Sequence, residues 1–148
     1  HDLSAIDLAK VAAVPGIVID APGEGPIEAD RVAGRDLAGM AVLLRTGWSR
    51  HFATERYGDP SHPGLTAGAA DALVAAAPAL VGIDSVNIDG TRTGERPVHT
   101  ALLAAGVPVV EHLCNLAALP DRQARFHAVP VKVRGMGTFP VRAYAIPR

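Results

Sequence analysis

Four short runs of aliphatic residues set the hydrophobic pattern of this chain. Residues 17–20, 40–45, 80–84 and 107–110 are almost entirely apolar, and a charged residue stands at or just after the end of each run. Uninterrupted apolar runs of this length are typical of strands that are buried within a sheet. The pattern therefore predicts a sheet that contains these four segments.

The segments between the runs carry helix signals. Thr66 is a typical N-cap residue, and it predicts a helix that continues to about residue 77. Residues 98–105 predict a second, shorter helix that a glycine ends. Residues 27–37 mix charged and apolar positions in a helix-like spacing, whereas residues 3–10 fit either a short helix or a loop.

The last third of the chain has a different pattern. Residues 126–134 and 140–146 predict two strands, and the glycine turn at residues 135–137 predicts that they form an antiparallel hairpin. Residues 49–63 are polar and interrupted by glycine and proline, which indicates a long surface loop. Together the elements predict a single α/β domain over residues 1–148, in the mixed α+β sense, with a mixed sheet flanked by helices and a C-terminal β-hairpin.

Charge and hydropathy exclude several classes of partner. The chain has 148 residues with 14 basic and 15 acidic side chains, and its net charge is −1. This balance gives no electrostatic basis for binding nucleic acid or an anionic membrane. No apolar run approaches the ~20 residues of a membrane span, and the first residues lack the order of a signal peptide, so a soluble, cytoplasmic protein is expected.

Cysteine chemistry is excluded as well. Cys114 is the only cysteine, so an intrachain disulfide and a Cys-x-x-Cys metal or redox site are both impossible. No nucleophile motif surrounds it, and a buried, inert thiol is expected. The chain also lacks the Gly-x-Ser-x-Gly elbow of α/β-hydrolases and any glycine pattern of a nucleotide-binding loop.

The candidate chemistry lies at His99 and Glu111. His99 stands near the start of the second predicted helix and Glu111 at the end of the next strand, so the turn at Gly106 could bring both to one edge of the sheet. Imidazole and carboxylate suit a zinc- or manganese-like ion, but two ligands are fewer than the three that a catalytic centre normally has. The alternative is that His99 caps the helix and that Glu111 is solvated or salt-bridged.

Other polar residues near this edge are weaker candidates. Asp84 and Asp89 could orient a metal-bound histidine, although a strand-end carboxylate and an Asp-Gly turn are both commonplace. The simple turn is favoured for Asp89, and the two roles are balanced for Asp84. His112 follows Glu111, and because neighbours on a strand face opposite sides, we interpret it as a surface or structural residue. His51, His62 and His127 stand alone in predicted loops or strands, and we interpret them as structural.

A series of short motifs occurs in a fixed order along the chain. It consists of Leu-Leu-Arg-Thr-Gly-Trp at 43–48, His-Pro-Gly-Leu at 62–65, Gly-Ile-Asp-Ser at 82–85, Asp89, His99 followed by two leucines, Gly-Val-Pro-Val-Val-Glu at 106–111 and Pro-Val-Arg-Ala at 140–143. The series resembles the bacterial cyclase-like metal-dependent hydrolases, the family of kynurenine formamidase and isatin hydrolase. The resemblance extends from about residue 6 to residue 148.

The resemblance implies a fold and an activity. The fold is a swivelling β/β/α domain, and the assembly is a homodimer or homotetramer. The activity is the hydrolysis of an amide or lactam bond in a small molecule by metal-activated water. His99 and Glu111 would belong to the metal and catalytic site, with zinc or manganese as the ion. Trp48 would be either a flat wall for an aromatic substrate or a core residue.

One motif of the family has no counterpart here. Its members carry His-x-Gly-Thr-His-x-Asp-x-Pro-x-His ahead of the region that this sequence covers, and the motif supplies further metal ligands. The resemblance therefore implies an additional N-terminal portion and an incomplete metal site in these residues. A second hypothesis is a non-catalytic homologue or fragment that serves oligomerisation or small-molecule binding. A third is an unrelated α/β domain.

Overall fold

The fold is built on a mixed six-stranded sheet, which a computed structural model describes for residues 2–147. A separate pair of short strands lies beside it. The elements in chain order are β1 (Val14–Asp20), β2 (Pro26–Ile27), β3 (Ala41–Arg45), β4 (Gly64–Leu65), α1 (Ala67–Ala76), β5 (Leu80–Ile83), α2 (Pro97–Ala104), β6 (Val109–Val110), β7 (Ala124–His127) and β8 (Tyr144–Pro147).

The order and direction of the strands place the polar residues that end or follow the parallel strands at one edge of the large sheet. The large sheet runs β6-β5-β3-β1-β7-β8, and β2 pairs with β4 in the small one. The four strands β1, β3, β5 and β6 are parallel, whereas β7 and β8 are antiparallel to their neighbours. These four parallel strands are the four aliphatic runs of the sequence, so the predicted strands are confirmed. Their carboxyl ends share one edge of the sheet, where open α/β sheets bind ligands.

Alternate residues of the strands fill two separate cores. One core lies under both helices and includes Ile17, Ile19, Val42, Leu44, Val81 and Ile83. The other lies on the opposite face, under loops and 3-10 turns, and includes Val14, Val18, Ala41, Leu43 and Leu80. Because both faces are covered, nearly every position of the central strands is apolar, which is the pattern seen in the sequence.

The two helices begin and end at residues suited to those positions. The side chain of Thr66 accepts a hydrogen bond from the Ala69 N–H at 3.2 Å, so the predicted N-cap of α1 is confirmed. Helix α2 begins with Pro97, whose missing N–H costs nothing at the first helical position. Gly106 follows α2 with φ of +70°, a left-handed conformation that glycine adopts without steric cost.

Some predicted elements differ from the structure. Residues 27–37 do not form a helix; they begin with the last residue of β2 and contain a 3-10 turn at Ala29–Arg31. The predicted hairpin exists as β7 and β8, but both strands are shorter than expected and residues 128–143 between them form no strand. Residues 3–10 hold two 3-10 turns, Leu3–Ala5 and Leu8–Lys10.

The long polar loop is partly ordered by short turns. Residues 49–63 form no long element, as expected, but 3-10 turns occur at Trp48–His51 and Glu55–Gly58. Across residues 2–147, neither helix has the length and hydrophobicity that crossing a membrane would require.

Candidate functional site

The candidate site lies at the carboxyl ends of β5 and β6. After β5 the chain passes through Asp84 and Ser85 to Asp89 and then enters α2, and after β6 it reaches Glu111. Residues from three consecutive elements therefore meet at one edge of the sheet. This is the edge that the parallel topology favours for ligands.

Asp89 and His99 form the closest polar contact of the site. His99 Nδ1 lies 2.5 Å from Asp89 Oδ2, and the carboxylate also accepts the backbone N–H groups of Val98, at 2.7 Å, and His99, at 3.1 Å. The carboxylate is acceptor-only, so Nδ1 donates to it, and Nε2 is the nitrogen that a neutral imidazole offers to a ligand. Asp89 therefore caps α2 and also fixes the tautomer of His99.

Glu111 faces the free nitrogen of this imidazole. Its Oε1 lies 3.4 Å from His99 Nε2 and accepts the N–H of Ile88 at 2.8 Å. The side chains of His99 and Glu111 are 15% and 21% exposed, so both are held in place yet reachable from solvent. The structure thus brings together His99 and Glu111, the two residues that were selected from the sequence. The turn at Gly106 lies between them in the chain and allows this approach, as predicted.

A cation already occupies the neighbourhood of the imidazole. Arg96 Nη2 lies 3.0 Å from His99 Nε2 and 3.3 Å from Nδ1. Because Nη2 is nearly equidistant from the two ring nitrogens, the guanidinium group lies over the face of the imidazole and not in line with one nitrogen. A positive charge therefore stands beside the ring.

The pair fits a shared divalent ion in chemistry and in spacing. Two ligands of a tetrahedral zinc at 2.0–2.1 Å are separated by about 3.4 Å, and His99 Nε2 and Glu111 Oε1 lie 3.4 Å apart. Within residues 2–147, no group of three or more His, Cys, Asp or Glu side chains converges as a metal site. The described residues thus supply two candidate ligands, as the sequence indicated.

Asp84 has a different role from the one considered for it. It is 2% exposed and accepts hydrogen bonds from the Thr46 N–H at 2.7 Å, the Thr46 hydroxyl at 2.5 Å and the Gly47 N–H at 2.9 Å. Its carboxylate therefore holds the turn that follows β3. The orienting contact with His99 is made by Asp89 instead, so the interpretation of Asp89 as a simple turn residue was wrong.

Trp48 packs in the interior beside this turn. It is 1% exposed, and its indole Nε1 donates to the Tyr57 carbonyl at 2.9 Å. A ring so covered offers no face to a ligand, so the core interpretation fits the structure and the substrate-wall interpretation does not. Trp48 instead anchors the loop that carries Tyr57.

Two histidines have contacts that the sequence did not suggest. His62 is 2% exposed, and its ring nitrogens lie 3.2 Å from Ser85 Oγ and 3.1 Å from Thr91 Oγ1, so it ties its loop to the segment that leads to Asp89. His112 is exposed, as expected, but its Nδ1 lies 3.0 Å from the Tyr57 hydroxyl. The residues that His62 and His112 contact are far from them in the sequence, so the spacing of residues gives no indication of these contacts.

Cys114 also differs from expectation. It is exposed rather than buried, and it lies just after the site, between His112 and the 3-10 turn at Leu116–Ala118. An exposed thiol in this position has no role in the contacts described above.

Comparison with protein families identifies the family of this chain. The sequence matches a family model described as "Putative cyclase" over residues 1–90. The chain belongs to the cyclase family. A search of curated protein sequences gave no match.

Solved structures extend the comparison of this cyclase-family chain. Isatin hydrolase A from Ralstonia solanacearum superposes with a TM-score of 0.87 at 26% identity, covering 100% of this chain and 65% of that one. An isatin hydrolase bound to the product analogue thioisatinate gives 0.85 at 25% identity, covering 99% and 64%. A protein described as "Potential Metal-Dependent Hydrolase With Cyclase Activity" gives 0.79 at 28% identity, covering 94% and 67%.

These neighbours confirm the expected fold, which is that of isatin hydrolase. All three neighbours are described as hydrolases, and one of them is described as potentially metal-dependent. The chain spans 65% and 64% of the length of the two isatin hydrolases.

Proposed function

We propose that this chain carries part of the active site of a metal-dependent hydrolase that opens an amide or lactam bond in a small molecule. The observation that carries the proposal is the contact of His99 with two carboxylates. Asp89 holds the Nδ1 side at 2.5 Å, and Glu111 stands 3.4 Å from Nε2. A carboxylate behind a histidine is the usual support of a metal-binding imidazole.

Each residue has a distinct task in this proposal. His99 Nε2 and the Glu111 carboxylate hold the ion, zinc or manganese, and Asp89 keeps the imidazole in the ligating tautomer. Such an ion supplies Lewis-acid activation of water and of the scissile carbonyl. Glu111 Oε2, which none of the contacts described above uses, is available to accept a proton while Oε1 stays bonded to Ile88. The remaining ligands would come from a neighbouring subunit or from residues beyond those described.

Location and assembly belong to the same proposal. A lone cysteine and the family resemblance support a cytoplasmic protein that forms a homodimer or homotetramer. The partner that this chemistry requires is a small-molecule substrate with an arylformamide- or isatin-like carbonyl.

Replacement of Glu111 by Gln tests the proposal in the full-length protein. The amide keeps the size of the side chain but loses the negative charge, so metal affinity should fall at least about tenfold and hydrolysis of isatin should fall with it. Metal content measured by mass spectrometry and isatin absorbance report the two effects. Glu55→Gln, at an exposed position in a 3-10 turn, is the matched control.

Two results would contradict the proposal. One is a Glu111→Gln protein that retains full metal and full activity. The other is a wild-type protein without metal or turnover that nevertheless binds small molecules or assembles, which would favour a non-catalytic role in binding or oligomerisation.

A further inference from the structure

His112 leaves the strand in an unusual conformation. Its φ is +58°, in the left-handed region that residues other than glycine rarely adopt, with asparagine, aspartate and histidine the most frequent exceptions. The backbone is held there because the His112 N–H donates to the Ser85 carbonyl at 3.0 Å. The strand alternation that would have turned His112 away from Glu111 therefore ends at this residue.

The conformation brings the imidazole against Tyr57. The Tyr57 hydroxyl lies 3.0 Å from His112 Nδ1, and the two ring centroids are 5.8 Å apart. Tyr57 is itself fixed, because its carbonyl accepts the indole N–H of the buried Trp48 and its ring packs edge-on against Phe52 at 5.4 Å. The position of the imidazole is thus set by a loop anchored in the core.

The contact with Tyr57 engages one nitrogen of the His112 ring, Nδ1. A phenol hydroxyl can both donate and accept, so Tyr57 is able to donate its hydrogen to Nδ1. A neutral imidazole that accepts at Nδ1 carries its hydrogen on Nε2. Since His112 is exposed, this Nε2–H is a donor without a protein partner in the contacts described above.

We propose that the Tyr57 hydroxyl donates to His112 Nδ1 and positions the ring, and that His112 is a substrate-binding residue whose Nε2–H donates a hydrogen bond to a carbonyl or carboxylate oxygen of the substrate. The inference rests on the proposed function, since His112 and Glu111 both follow β6 at the carboxyl edge of the parallel strands. Phe52, which is 66% exposed and packs on Tyr57, adds an apolar surface beside the donor. The site would therefore select a substrate that places an oxygen acceptor next to a flat ring.

Binding of isatinate, the ring-opened acid of isatin, tests the inference. The variants are His112→Asn, since asparagine tolerates the left-handed conformation, and Tyr57→Phe, which removes only the hydroxyl. In the full-length metal-loaded protein, calorimetry should give a Kd raised about tenfold or more for His112→Asn and about two- to tenfold for Tyr57→Phe. In isatin hydrolysis, Tyr57→Phe should raise KM while kcat changes little.

The chain offers a matched control pair of the same residue types. His127 and Tyr144 stack at 4.5 Å on β7 and β8, at the far end of the sheet from β5 and β6. His127→Asn and Tyr144→Phe should leave the Kd of isatinate within about twofold of wild type, because they alter a comparable contact away from the site.

Nitrogen-15 NMR of the imidazole gives a readout independent of turnover. Wild type should show the Nε2–H tautomer of His112, with the Nε2 proton shifted when isatinate is added, and Tyr57→Phe should show a mixture of tautomers. An Nδ1–H tautomer in wild type would overturn the inference, as would an isatinate Kd that neither variant changes or an absence of isatinate binding.

The failure of each proposal has its own signature. If wild type hydrolyses isatin while both variants bind isatinate normally, the role of His112 fails and the hydrolase stands. If wild type contains no metal and does not hydrolyse isatin, yet isatinate binding weakens in His112→Asn, the binding role stands and the hydrolase fails.

Discussion

At the scale of single residues, Asp89 links the stability of the fold to the chemistry of the site. One oxygen accepts the Val98 N–H and the other accepts both the N–H and the Nδ1–H of His99. The same carboxylate therefore satisfies the first turn of α2 and orients the imidazole. Any change at this position alters both, unless the new side chain can still cap.

Two substitutions of Asp89 should separate these tasks. Asp89→Ala removes the cap and should lower the free energy of unfolding by about 0.5–2 kcal/mol, as measured by urea denaturation. Asp89→Asn can still cap, so its stability should stay near that of wild type, but it loses the charged acceptor of the imidazole N–H. Metal affinity in the full-length protein should fall about 10- to 100-fold in both. A normal metal affinity in Asp89→Asn would contradict the orienting role.

The sequence revealed only part of this arrangement. The residue types of His99 and Glu111 suit a shared site, and the resemblance to the cyclase-like hydrolases was needed to favour that role over a helix cap and a solvated carboxylate. Asp89 could not be distinguished from an ordinary Asp-Gly turn, since its partner lies in a helix ten positions further on. The contact of Tyr57 with His112 depends on a loop conformation and on a positive φ, neither of which leaves a periodic signal.

At the scale of elements, Gly64 controls how closely β4 approaches the Asp89 segment. A side chain at Gly64 would place its Cβ 2.9 Å from the Asp89 carbonyl carbon and 3.0 Å from the Ile88 oxygen. Leu65 forms a bridge with Asp89 at the same place. The missing Cβ therefore allows the backbone of Asp89 to pack where its carboxylate can reach α2.

Gly64→Ala should displace this backbone. Because the colliding atoms belong to main chain and cannot rotate away, we expect a loss of about 1–3 kcal/mol in the free energy of unfolding, measured by urea denaturation, and weaker metal binding. Gly137→Ala is the control, since nothing lies within 4 Å of its Cβ and its φ is not positive. Equal stability of the two variants would mean that the segment near Asp89 adjusts freely.

Elements with a clear pattern in their own residues were predictable from the sequence. Elements that depend on pairing with a distant strand were not. The buried strands stood out as aliphatic runs, and Thr66 marked the start of α1. Residues 27–37 have a helix-like spacing, but β2 pairs with β4 there and the chain turns instead. In the predicted hairpin, only the residues that pair across β7 and β8 remain extended as strands.

At the scale of the whole molecule, the central sheet has a hydrophobic core on each of its two faces. Both cores include side chains of the same strands, so the stability of the molecule depends on this sheet. The helices cover one face, and loops and 3-10 turns cover the other. Loops that cover a core also carry polar residues into partly buried positions. Tyr57 is one of these polar residues, and the pKa of its hydroxyl differs between the folded and the unfolded protein.

Alkaline pH should reveal this coupling. The pKa of Tyr57 is raised to about 12 by burial and by the nearby charges of Asp84, Glu111 and Cys114, whereas tyrosine in an unfolded chain has a pKa near 10. The folded state thus holds the proton more tightly, so the contribution is complete below about pH 10 and is lost as pH rises through about 12. Urea midpoints should fall more between pH 8 and 11 in wild type than in Tyr57→Phe. Tyr144→Phe should fall as much as wild type does; an identical decline in all three proteins would contradict the coupling.

The residues of the candidate site lie in one continuous segment of the sequence. Asp89, His99 and Glu111 come from the loop, helix and strand end that follow β5, joined by the left-handed turn at Gly106. Insertion or deletion of a residue within this segment would rotate His99 about the helix axis or shift Glu111 relative to β6. A change of length within residues 128–143 would leave the relative positions of Asp89, His99 and Glu111 unchanged. Length variation between descendants of this sequence should therefore accumulate in the latter segment, and the stretch from Asp89 to Glu111 should be inherited or lost as a unit.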